Sequence, residues 1–130
     1  MKNNTMQIID SHAPVPEDAL VVANTENVLT LGEAVKRARI VVLDFPKWTD
    51  GRAYSQAFLL RARLKFGGEI RAAGDVVVDM LPLLHRCGFS AVQLREGQSA
   101  QTALATLAQF PGHYQGDALG AKPIFAGLAS

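Results

Sequence analysis

The chain has 130 residues, 48% of them hydrophobic and 19% charged, with 13 basic against 12 acidic side chains. That length holds one domain with a single core and no need of covalent staples, and a net charge of +1 gives no field that would gather nucleic acid or an anionic membrane surface. The one cysteine, Cys87, excludes an internal disulfide, the polar start MKNNTMQIID lacks the apolar stretch of a signal peptide, and no apolar run nears the ~20 residues that cross a bilayer, so a soluble cytoplasmic protein is expected.

Residues 1–17, polar and interrupted by Pro14 and Pro16, read as a loosely held arm. DALVVANTE then offers a strand over 19–23, closed by Asn24. Thr30 is placed to cap a helix on LGEAVKRA, with Glu33 three residues later completing a capping box. RIVVLDF, 39–45, is β-branched and almost continuously apolar, as a strand covered on both faces is, and Pro46 stops it. Asp50 is the natural N-cap of a helix running to about residue 66, with Ala53, Ala57, Leu60 and Leu64 on one face and Arg52, Gln56 and Arg63 along a flank. Gly67-Gly68 would supply the left-handed conformation that ends it.

EIRAAGD, 69–75, predicts a third strand, and Gly74-Asp75 turns it into the amphipathic VVVDMLPLLHRCGF, where Pro82 removes a backbone donor and predicts a kink or a restart. Gly88 is a stop, SAVQL at 90–94 the fourth strand, and Ser99 opens the helix AQTALATLAQF. From Pro111 the Gly-, Ala- and Pro-rich remainder reads as an extended tail.

Strands alternating with helices predict a single α/β domain over residues 1–130, of about four βα units with a mainly parallel sheet. Two windings compete: helices on both faces of an open, doubly wound sheet, or all helices on one face, half-barrel-like. The second would bare the other sheet face, with residues such as Val41, Leu43 and Ile70 on it. A partner or the terminal arms would have to cover it, and a homodimer, aided by Ile124, Phe125 and Leu128 of the tail, is the simplest cover.

In parallel sheets, sites gather at the carboxyl ends of the strands. Those ends carry Lys47 to Arg52, Gly74-Asp75 and Arg95-Glu96, so Lys47, Asp50, Gly51, Arg52, Tyr54, Arg71, Gly74, Asp75 and Arg86 are the candidates for anion or partner binding. Helix amides after Asp50 and Asp75 would serve as anion donors. The plainer alternative makes both aspartates simple caps and the arginines solvated or paired. Trp48 and Tyr54 either stack on a ligand or fill the core. No catalytic residue can be named: AYSQA around Ser55 lacks the glycines of a nucleophile elbow, and KFGGEI has no following Gly-Lys-Ser/Thr. His85 and Cys87, about 200° apart on a helix, cannot grip one metal, so no metal site is expected. VVANTENV contains no glycine, which excludes a dinucleotide loop after the first strand, and no cofactor is expected.

FPKWTDGRAYSQAFLLRARL, GGEIRAAGDVVVDML, HRCGFSAVQL and the later HYQ closely resemble the bacterial domain-of-unknown-function family number 934, whose members look like FP-x-F-x-DGR-x-YS, then GELRA-x-GDV, then RCGFDAFEL and a closing YQ. The resemblance spans about 45–115. This chain departs at Trp48, Met80, Ser90 and Val92, where the family pattern has Phe, Gln, Asp and Phe; the DGR and GD segments are intact. The resemblance implies a small cytoplasmic protein without established catalysis, commonly encoded beside assimilatory sulfite reductase. Its expected role is that of an accessory or interaction protein with sulfite reductase components as partners. The other reading is a small enzyme or sensor binding an oxyanion such as sulfite or a phosphorylated metabolite, with Lys47, Arg52 and Arg71 supplying charge and an aspartate serving as acid or base.

Overall fold

The structure, a computed structural model, describes residues 6–109. The tail expected from Pro111 lies outside the described residues. Within them the chain forms one parallel sheet of five strands: β1 (Gln7–Ile9), β2 (Leu20–Val22), β3 (Ile40–Phe45), β4 (Glu69–Gly74) and β5 (Ala91–Gln93), in the spatial order β1-β5-β4-β3-β2. Between them run α1 (Gly32–Arg37), α2 (Arg52–Ala62) and α3 (Leu81–Cys87), and α4 (Ala100–Ala108) follows β5.

From β2 to β5, each strand pairs in parallel with the next one in sequence. Because right-handed crossovers between sequential neighbours all pass over the same face, this order places every helix on one side. A single core cluster accordingly joins Val35 of α1, Ala57 and Leu60 of α2, Leu81 and Leu84 of α3, and Ala103 and Leu107 of α4 to Val41, Leu43 and Ile70. The half-barrel-like winding is the one adopted, and Val41, Leu43 and Ile70 are fully buried against the helices. They are not an open face, which removes the ground on which a second copy was expected.

Strand alternation turns Val42, Arg71 and Ala91, which lie side by side in register, to the opposite face. They are buried as well. The N-terminal segment begins to cover this side. No strand was expected before residue 19, yet β1 pairs with β5 at the far edge, with Gln7, Ile8 and Ile9 opposite Ala91, Val92 and Gln93. From there residues 10–19 form a strap to β2 at the other edge. The Gln93 amide, turned away from the helices, donates to the carbonyls of Asp10 and Ala13, both at 2.9 Å, and Asp18 pairs with Arg39 just before β3.

Local corrections have local causes. Asn27, not Thr30, caps the first turn: its side chain accepts from the Leu29 amide of a 3-10 turn (Val28–Leu31), while Thr30 Oγ1 donates back to the Asn27 carbonyl. The N-cap of α2 is Gly51; the Asp50 carboxylate lies one residue earlier and accepts from the Arg52 amide at 3.1 Å. α2 ends at Ala62, the left-handed residue after it is Lys65 (φ 57°), and Gly68 is required for another reason. A Cβ there would stand 2.4 Å from the Arg39 carbonyl oxygen. Pro82 sits in the first turn of α3, where its missing donor costs nothing, and a 3-10 turn over Val78–Met80 precedes it as the restart.

Candidate functional site

All strands being parallel, their carboxyl ends meet at one edge of the sheet. Asn24 follows β2, Lys47 to Arg52 follow β3, Asp75 follows β4 and Arg95 follows β5. Two carboxylates organise this rim.

Asp50 receives the Asn24 amide at 2.8 Å and the guanidinium of Arg52 in a two-pronged pair, Nε at 3.1 Å and Nη2 at 2.9 Å. The Arg52 guanidinium, then its backbone amide, hold the Asp50 carboxyl well below its usual range, down to about 2. Asp75 receives Arg95 Nη1 at 2.6 Å and the Trp48 backbone amide at 2.8 Å. Those same two donors, Arg95 foremost, lower its pKa. Both carboxylates are fixed anions, and a carboxylate held this low is a poor proton acceptor at neutral pH. The Asp75 bonds also tie the loop after β3 to the ends of β4 and β5.

Several of the helix amides expected to receive an anion are already engaged. Arg52 N–H is on Asp50, Val76 N–H on the Gly74 carbonyl, Val77 N–H against Met80 Sδ, and Val78 N–H on Gln98 Oε1 at 2.9 Å. A ligand oxyanion would have to displace these acceptors.

The structure separates the predicted residues. Lys47 and Gly51 are exposed on the loop after β3. Gly74 has φ 97°, and a Cβ would lie 2.5 Å from the Phe45 carbonyl oxygen, so this glycine serves the turn. Tyr54 is half-buried and packs edge-on to Phe45 with ring centroids 5.2 Å apart, and to Phe89 at 6.4 Å; burial raises its pKa. It belongs to the core, whereas Trp48 is 53% exposed. Arg71 is on the strap side of the sheet, 7% exposed and paired with Glu69 at 2.8 Å. Arg86, in the last turn of α3, lies at the opposite end of the helices from the rim. Lys47, Arg52 and Arg71 therefore do not converge on one oxyanion.

Sequence reasoning left Asn24, Arg95 and Gln98 out of the candidate set. Asn24 and Arg95 each lie two residues beyond the end of a strand, so the strand-end rule reaches them. Gln98 carries no local signal, since its partner is twenty residues away. Trp48, Val77, Asp79, Arg95 and Gln98 line an open hollow of about 300 Å³ on the rim. Among the described residues no cluster of three His, Cys, Asp or Glu side chains is arranged to hold a metal ion, and no helix is long and apolar enough to cross a membrane.

Neither the curated proteins nor the solved structures contain a match to this chain. A family model does match, over residues 19–125, which takes in β2 through α4 with the rim and its Asp-Gly-Arg and Gly-Asp turns. The chain belongs to the family described as bacterial protein of unknown function, DUF934.

Proposed function

We propose that this protein is an accessory or interaction protein that makes a contact through the rim at the strand carboxyl ends. The observation that carries the reading is Trp48: its ring is exposed beside an open hollow while its backbone amide is pinned by Asp75. A rigidly mounted, exposed Trp flanked by an Arg and an Asp has the composition of an interface anchor. The neighbouring polar groups are occupied with one another, which suits a fixed surface better than a reaction centre. The resemblance of the DGR and GD segments supports a cytoplasmic role beside assimilatory sulfite reductase, with components of that system as the partners. A homodimer forms no part of the proposal, and neither nucleic acid nor a membrane is its partner.

Affinity purification of the full chain from cells grown on sulfate as sole sulfur source tests this. Retention of sulfite reductase components by the parent chain, reduced for Trp48→Ala at unchanged stability, is the expected result. A deletion strain growing normally on sulfate, with no such component retained, overturns it.

A further inference from the structure

The family span begins at residue 19, immediately before β2, so β1 and the strap lie outside it. Without them, β5 would be an edge strand with a free row of backbone donors and acceptors, which proteins seldom leave uncovered. Residues 6–9 cover it here. Ile8 packs against the helix-side core, and Met6, 1% exposed, is buried in it, while the intervening Gln7 is exposed. The Gln7 amide donates to the Ser90 carbonyl at 3.0 Å. α4 packs over β1 and closes the floor that receives these side chains.

Few contacts outside the core side chains fasten this segment. β1 is three residues long, shorter than the five or so typical of strands. The strap contains Pro14 and Pro16, which cannot donate. It is fastened at its start by Gln93 and by the exposed His12–Glu96 pair at 3.0 Å, and at its end by the exposed Asp18–Arg39 pair.

We propose that the β5 edge and the floor beneath α4 form a strand-docking site, for which residues 6–18 are the chain's own removable occupant. The external ligand is an extended segment of a partner protein that runs parallel to β5 and carries apolar side chains at alternate positions, as Met6 and Ile8 do. Main-chain bonds to β5 supply affinity and the two apolar pockets supply selectivity. This surface is separate from the Trp48 hollow, so the two readings stand or fall independently.

The test uses the full chain and a labelled peptide of residues 6–13, MQIIDSHA, followed by fluorescence anisotropy. Gln93→Ala with Glu96→Gln loosens the strap, and Met6→Asp expels the segment while leaving the strap anchors intact. Because apparent affinity scales with the fraction of molecules whose site is open, both variants are expected to bind the peptide at least about tenfold more tightly than the parent. A peptide with Asp in place of Met6 and Ile8 is expected to lose binding. Faster amide exchange at 7–9 in the loosened chain without peptide binding overturns the proposal. So does retained protection at 7–9, or equal binding by parent and variants. Dimerisation of the loosened chain by exchange of residues 6–9 would replace the partner segment with a second copy and also overturns it.

Discussion

Arg61 offers the sharpest test of how this fold is held together. Its guanidinium donates to three backbone carbonyls, Phe66 at 2.9 Å, Gly68 at 2.7 Å and Gly88 at 3.0 Å, and lies 5.8 Å from the centroid of the Phe66 ring. It thereby ties the turn after α2 to the end of α3. Each hydrogen bond from a charged donor contributes about 1.5–3 kcal/mol net. Against that, burial lowers the Arg61 pKa from 12.5 to about 10. That cost is already contained in the net figures, so their lower end applies, and Arg61→Ala is expected to cost at least about 3 kcal/mol. Arg61→Lys should lose most of the same energy, because one ammonium cannot reproduce the planar fork. Urea unfolding followed by circular dichroism reads the change as a lower midpoint with an unchanged slope, and the melting temperature should fall by about 10 °C. An Arg61→Ala chain within about 1 kcal/mol of the parent would refute the view that this cation is a structural tie.

Three further outcomes are expected. Gly68→Ala forces a Cβ to 2.4 Å from the Arg39 carbonyl oxygen and should cost about 1–3 kcal/mol by urea unfolding, whereas Gly67→Ala enters open space and should stay within about 0.5 kcal/mol; equal effects would contradict the close approach. The lowered pKa values of Asp50 and Asp75 mean that their stabilisation is complete above the unfolded value of 3.8 and is lost as pH falls through the folded values, toward about 2 for Asp50. Unfolding midpoints should decline across that window, and Asp50→Asn should flatten the decline; an unchanged slope would mean that the carboxylate is not so held. Millimolar sulfite, sulfate or phosphate should leave the melting temperature unchanged, because the Arg52 and Arg95 guanidinium groups and the Arg52, Val76, Val77 and Val78 amides already have partners; a clear rise with one of these anions would revive the oxyanion-binding reading.

Much of the architecture was legible because its causes are local. The almost continuously apolar run of β3 announces a strand covered on both sides, and it forms; β4 forms where EIRAAGD predicts a strand. Gly88 ends α3 in the left-handed conformation at φ 107°, and Ser99 caps α4 through the Thr102 amide, as their residue types require. The alternation of strand and helix, with right-handed crossovers, then fixes a parallel α/β sheet. Strand-end reasoning likewise placed Asp50 and Asp75 on one rim.

Other features depend on partners far away along the chain. β1 has no signal of its own in QII, and it exists because β5, more than eighty residues later, offers it an edge and α4 a floor. The choice between one-sided and two-sided winding follows from strand order, which no local pattern encodes. Whether a helix-start amide is free to bind an anion depends on what reaches it, and for Val78 that is Gln98. A residue such as Arg71 shows the division most plainly. Its sequence neighbours establish that it lies on a strand, but the direction of its side chain relative to the helices, and hence its burial beside Glu69 rather than at the rim, is set by the register of β4 between β3 and β5.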